Sequence, residues 1–310
     1  SRKKKVYSRT LKLMGNRFDI SVVDNSEVEA NKAIEIAIEE IERIEKLISS
    51  WDPESQTSVI NNNAGLQPVK VDPELLNLIS RSAKISEITQ GAFDISFGSI
   101  DKGLWKFDGS ITKMPDAAAA AEAVKLINYR NIQIDPLSGT VFLKQKGMRI
   151  GFGAIGKGYA AEMAKKKLLT IGVEAGVINA SGDMTIWGRH PEHDYWTVGI
   201  ADPEAKQQVF SSLKIKDQAV VTSGNYEKFV MIDGKKYSHI IDPRTGYPAA
   251  GLKSVTVIAA NAELADALAT AIFILGKDVG LDLVNQLEKV NCVIINDENK
   301  IFYSDGININ

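Results

Sequence analysis

Hydrophobic and polar positions change period along this chain, and the changes mark its elements. Residues 17–23 alternate at period two and predict a strand. Ser26 then opens a capping box with Glu29. Apolar residues recur at Val28, Ala33, Ile34, Ala37, Ile41, Ile44 and Ile48, the one-sided stripe of a long amphipathic helix. Asp72-Pro73 predicts a second helix start, with Asp as N-cap and Pro at the first helical position, and Gly91 predicts its end. A third, alanine-rich helix is expected from Pro115 to Leu126. Two short strands follow at 132–134 and 140–144. The glycine-rich stretch 151–158 leads into a helix ending near Gly172. Strands are then expected at about 176–180, 184–188, 195–200, 208–213, 219–222, 228–232, 237–241 and 253–259. Asn261 opens another helix that stops near Gly276, and a helix and a strand pair close the chain.

Helices and strands therefore come in blocks rather than one by one. That order predicts an α+β fold, a mainly antiparallel sheet with flanking helices, over a doubly wound parallel sheet. No repeat, low-complexity linker or sharp break divides the 310 residues. The chain reads as one domain, 1–310, with a soft sub-boundary near 130–150.

Composition removes several function classes. The net charge of −2 leaves no broad basic footprint for nucleic acid, and the cluster Arg2–Lys5 reads as a solvated tail. No run of 18 apolar residues is present. No leader segment is visible, and the chain begins with Ser, as a processed or trimmed end would. The single cysteine, Cys292, lies in the apolar run Val290–Ile295 and reads as a buried small hydrophobe, so neither an internal disulfide nor a cysteine-rich metal site can form. His190, His193 and His239 are too few and scattered for a histidine-rich zinc centre. A metal here would be a hard cation on oxygen ligands.

Six segments could carry chemistry, and each also has a plain structural reading. His239–Pro248 packs an imidazole, a carboxylate, a guanidinium and a hydroxyl between prolines and a glycine, at the end of an expected strand. This is a rigid reactive loop, or a turn in which Asp242 and Arg244 simply pair. Arg244 could hold a phosphate or carboxylate with two prongs. Gly151–Gly158 has four glycines and Lys157 before a helix, which suits a phosphate or tight helix packing; its spacing matches neither a Walker A loop nor a dinucleotide fingerprint. Asp266 and Thr270, four apart on an apolar helix, share one face and could hold a cation, or Asp266 could cap a turn. Thr89–Asp94 joins a helix stop to Phe93 and a carboxylate. Trp51 is a loop aromatic that could stack on a flat ligand or merely pack. Residues 176–188, GVINASGDMTIWG, read as two strands joined by a Gly-Asp turn.

Taken in order, these segments resemble the ApbE family of FAD:protein FMN transferases. Met14-Gly15, Leu47–Asn61, Gly91–Asp94, Gly153–Gly158, Asn179–Gly188, Thr222-Ser-Gly224, His239–Pro248 and Ala265–Thr270 are similar to its successive signatures. The resemblance implies an ApbE/T-fold-like enzyme that binds FAD as substrate and Mg²⁺. It would move the FMN half to a Ser or Thr hydroxyl of an acceptor protein and release AMP. It implies that Met14, Trp51, Ala92, Phe93, Asp94, Lys157 and Ile240 contact FAD. Ala154, through its carbonyl, Asp266 and Thr270 would bind magnesium, and His239 would be the base. It also implies an exported, periplasmic or membrane-anchored setting, with a membrane redox subunit as acceptor. Gly151 departs from the family's usual Asp, Ser181 from a common Gly, and Trp51 from a frequent Tyr. Hydrolysis of FAD to FMN and AMP, and FAD carriage without chemistry, are the rival readings.

Overall fold

The computed structural model describes residues 2–201, 209–224 and 229–307. The first hairpin pairs β1 (Lys5–Leu13) with β2 (Asn16–Asp24). Met14 and Gly15 close it with φ of 52° and 70°, the two left-handed residues of a type I′ turn. Lys5, expected in a solvated tail, begins β1 instead; this edge strand keeps one face polar, so it carries little apolar signal.

α1 spans Glu27–Ile48. Ser26 caps it by accepting the Glu29 N–H, but the reciprocal half of the box is absent: the Ser26 N–H goes to Asp24, and Glu29 pairs with Lys32. Ala30, Ala33, Ile34, Ala37, Ile38, Ile41, Ile44 and Ile48 form the buried stripe. Val28, expected on that stripe, faces solvent. Each buried isoleucine is worth about 1.5–3 kcal/mol, which outweighs the glutamate-rich opposite face.

Next come α2 (Gln56–Asn62), β3 (Val69–Lys70) and α3 (Pro73–Ile88). Asp72 stands at the N-cap of α3 without capping it; its side chain accepts from Gln56. α4 (Ala117–Ala123) is shorter than expected because Asp116, accepting from Ala119 N–H, sets a later start. β4 (Ile132–Asp135) and β5 (Thr140–Leu143) make a small sheet with β3. α5 (Gly156–Thr170) precedes β6 (Gly176–Ala180), β7 (Asp183–Trp187), β8 (Trp196–Ala201), β9 (Val209–Ile215) and β10 (Ala219–Gly224). β11 (Phe229–Ile232), β12 (Lys235–Ser238), β13 (Leu252–Ala259), α6 (Ala262–Leu275), α7 (Lys277–Gln286), β14 (Asn291–Asn296) and β15 (Ile301–Tyr303) complete the chain. Residues 208 and 228, expected to start strands, lie outside the described residues.

Eight strands form the main sheet in the order β1-β2-β6-β7-β10-β13-β14-β15, antiparallel throughout. The fold is thus α+β. Helices α1, α5 and α6 pack together and against the sheet to form the main core. The β8–β9 ribbon supplies Val198 and Ile215 to a second cluster with Ile186, Val220 and Ile258. The β11–β12 hairpin packs Val230 and Ile232 on Trp105 and Ile241 in a third. Among the described residues, no helix is long and apolar enough to cross a membrane.

The approach of α5 to α6 depends on Gly158. A methyl group there would run into the Ala262 carbonyl and lie 2.8 Å from Asp266 Cβ. Gly153, three residues before α5, has open space where its side chain would be. Gly158→Ala should therefore destabilise by about 1–3 kcal/mol, the range for overpacking. Gly153→Ala should leave the thermal midpoint nearly unchanged. Equal effects of the two substitutions in denaturant melts would contradict this packing.

Candidate active site

The turn between β6 and β7 is Ser181-Gly182, with φ of 50° and 99°, not the Gly-Asp pair expected from sequence. The shift of one residue makes Asp183 the first residue of β7 and turns it inward, where it is 2% exposed. The turn survives Ser in place of the family's Gly because Ser181 adds compensation: its N–H and its hydroxyl both donate to the Arg17 carbonyl.

Asp183 meets two groups, one from each adjacent helix. Lys157, in the first turn of α5, places Nζ 3.8 Å from Asp183 Oδ1. Asp266, in the second turn of α6, hydrogen-bonds Asp183 and accepts the Gly158 N–H at 3.2 Å. Asp266 thus caps the neighbouring helix, while its own helix is capped by Asn261. Burial, the Asp183 charge and the carboxyl–carboxyl hydrogen bond push Asp266 well above the ordinary carboxylate range. Lys157 and the Gly158 N–H pull it partway back.

One turn along α6 from Asp266, at Thr270, the helix borders a cleft of about 430 Å³. Trp51, Ala92, Phe93, Asp94, Ala154, His239, Ile240 and Thr270 all line it. It continues past Trp51 into a wider groove lined by Met14 and Lys157. Ten of the eleven residues singled out from sequence therefore border one continuous depression. The eleventh, Asp266, sits one helical turn before Thr270, beneath the surface.

Their surroundings differ. Trp51 is 80% exposed, with only the Lys102 ammonium over its ring at 4.3 Å, so it is not a packing residue. Phe93 and Ala92 are buried and present only a wall. Asp94 is turned inward: Oδ1 accepts from the Ser96 N–H and hydroxyl, and Oδ2 from the Tyr129 N–H. Burial nonetheless pushes its carboxyl up. Met14 donates its N–H to Glu45 and reaches toward Gly156.

The expected strand 237–241 ends at Ser238, whose hydroxyl accepts the Ile240 N–H and breaks the ladder. His239 consequently leads the loop, meets Phe107 edge-on at 6.5 Å and faces the cleft. An isolated bridge between Ile241 and Pro248 pinches the loop shut. Within it, Asp242 and Arg244 do pair, with two contacts of 3.0 Å. Trp105 Nε1 donates to the Gly246 carbonyl and ties the loop to the third core cluster.

Gly151 donates its N–H to Ile95, and a side chain there would meet nothing nearer than Ser50 Oγ at 4.0 Å. The cleft therefore has room for a carboxylate side chain at this position.

The family profile for ApbE matches residues 14–294. The chain belongs to the ApbE family. It is 33% identical over 97% of its length to an FAD:protein FMN transferase of Klebsiella pneumoniae, covering 92% of that relative. Its identity to the FAD:protein FMN transferase of Treponema pallidum is 31%, over 97% of this chain and 87% of the other. The crystal structure of the ApbE protein from Thermotoga maritima superimposes with a TM-score of 0.87 at 33% identity, covering 97% of both chains. The flavin transferase ApbE of Vibrio cholerae shares the fold, with a TM-score of 0.83 at 22% identity and 97–98% coverage.

Asp183 is the residue of this ApbE site that sequence reasoning missed. The signal was present: a left-handed-tolerant Ser-Gly pair fits a two-residue hairpin turn better than Gly-Asp, and that choice sends Asp183 to the core face. Trp51 gives a direct probe of the cleft. Titration with FAD should quench its fluorescence, and Trp51→Ala should weaken binding by about ten- to a hundred-fold, as loss of base–aromatic stacking does. Unchanged affinity in the variant would take Trp51 out of the site.

Proposed function

We propose that this protein transfers FMN from FAD to a Ser or Thr hydroxyl of an acceptor protein, with Mg²⁺, and releases AMP. The observation that carries the reading is the buried Asp183–Asp266 pair beside Lys157, which lines the groove that adjoins the open, largely apolar cleft. Two carboxylates with a single nearby ammonium make a poor resting arrangement in a protein interior, but a good seat for a hard cation. Among the described residues no group of three or more His, Cys, Asp or Glu side chains gathers. A cation would therefore share Asp266 with the Thr270 hydroxyl, the Ala154 carbonyl and oxygens of the substrate, as magnesium does with phosphates. When bound, the ion would neutralise charge on the pyrophosphate.

The chain's own groups would do the rest. Met14, Trp51, the Ala92–Asp94 wall and Ile240 hold and orient FAD along the depression. Lys157 faces the diphosphate and offsets charge on the departing AMP. The acceptor oxygen attacks the phosphorus of the FMN half, the P–O bond to AMP breaks, and His239 takes the hydroxyl proton. Phosphoryl transfer of this kind is positioning plus charge neutralisation, which suits a site with one base and one fixed cation. Membrane redox subunits are the acceptor class we propose, and an exported location goes with them.

Intact-mass analysis of redox-subunit domains from the same genome, incubated with the protein, FAD and Mg²⁺, tests this reading. A covalent FMN adduct with equimolar AMP is expected; free FMN and AMP with an unmodified acceptor would favour hydrolysis. His239→Asn should lower the transfer rate by about 10²–10⁴-fold, the usual loss for a general base. FAD affinity should be retained. A variant that loses FAD affinity in proportion to its rate would reassign His239 to positioning.

A further inference from the structure

Arg244 is left over by the flavin reading. Its Nε and Nη2 are held by Asp242, leaving Nη1 with no acceptor among the described residues, and the side chain is 38% exposed. Its stem lies against Gly91, opposite the Tyr129 ring; a methyl on Gly91 would be 3.8 Å from both. The Arg130 guanidinium sits over that ring at 4.7 Å and has no carboxylate partner among the described residues. With Gln90 and Asn128, these groups line a hollow of about 220 Å³.

Two features tie the hollow to the cleft. Asp94 and Pro243 line both, so one wall separates them. Among the described residues that line the hollow the one acid is Asp94, and both of its oxygens are taken by Ser96 and Tyr129. Asp242 already neutralises Arg244, so Arg130 supplies the net positive charge inside and Arg244 adds its Nη1 donor. The space is half that of the cleft, enough for the head of one side chain. The transferase reading sets the diphosphate of FAD at Lys157, which lines the groove beyond Trp51 and not this hollow.

We infer that this hollow is an anion subsite that takes a carboxylate side chain of the acceptor protein. Arg130 and Arg244 grip it, while a hydroxyl on the same short segment reaches His239. Arginine forks suit carboxylates, and a charge-assisted contact beside the reacting group fixes register as well as adding affinity. The inference rests on the transferase reading above.

The test uses the full chain loaded with FAD and a set of nine-residue peptides. Each carries one central threonine, one glutamate at a single varied position, and glycine or alanine elsewhere; a matched set carries glutamine. Side-chain ¹⁵N–¹H spectra of the arginines report binding, and inorganic phosphate serves as the free-anion control. At least one glutamate peptide should shift the Nε–H signals of Arg130 and Arg244. It should bind at least tenfold more tightly than its glutamine twin, and Arg130→Gln, verified as folded by its melting curve, should abolish that difference. Twins that bind alike at every position would overturn the inference. So would arginine shifts produced by phosphate but by no glutamate peptide. Wild-type AMP release from FAD, measured alongside, reports on the transferase reading separately: its absence would remove the enzyme without explaining away a glutamate-dependent shift.

Discussion

Two carboxyl groups, Asp183 and Asp266, are buried against each other where α5, α6 and β7 meet, and most of the site is arranged around them. Burying one unpaired carboxylate costs several kcal/mol; burying two side by side forces them to share a proton or find a cation. Lys157 and the Gly158 N–H offset part of that cost. On the function proposed above, a divalent ion would relieve this arrangement, and ion binding and substrate binding would be parts of one event.

The scaffold holds this arrangement by close approach rather than by bulk. Gly158 lets α5 touch the start of α6. A further buried acid, Glu162, accepts from the Thr185 hydroxyl and from the Ala262 N–H, so the helices and β7 are pinned one turn further on. Farther out, Arg81 forms a two-pronged pair with Glu263, and Tyr159 donates to Glu74, which also binds Arg43. The Arg43 pair and burial pull in opposite directions on Glu74, and the pair wins, lowering its pKa. These links join α1, α3, α5 and α6. At the cleft, by contrast, Trp51 stands in solvent.

Much of this was readable in the sequence. Periodicity located α1, α3, α5, α6 and most strands, because long one-sided stripes and caps such as Ser26 and Asn261 are local signals. The edge strand β1 was not legible, since a half-covered edge needs few apolar residues. α2 was hidden for a similar reason: Thr57, Ser58 and Asn61 are buried polar residues, held by hydrogen bonds rather than by hydrophobicity. Motif order brought ten of the eleven candidate residues to one depression, although Trp51 and His239 are 188 positions apart in the chain. Asp183 escaped because a turn read one residue late flips every side chain after it. The pairing of Arg244 with Asp242 was foreseen; the company of Arg130 was not, because residues 130 and 244 meet only through the fold.

The central claim is that the Asp183–Asp266 pair is a cation seat rather than a structural hydrogen bond. Thermal melts of the wild type and Asp266→Asn, with and without Mg²⁺ and in the absence of FAD, test it most directly. Wild-type stability should rise with Mg²⁺, by about 2.7 kcal/mol at a hundredfold excess over the dissociation constant. Asp266→Asn, which keeps a hydrogen bond to Asp183 and removes the second charge, should melt no lower than the ion-free wild type and ignore Mg²⁺. A wild type indifferent to Mg²⁺, or a variant still stabilised by it to the same degree, would contradict the account.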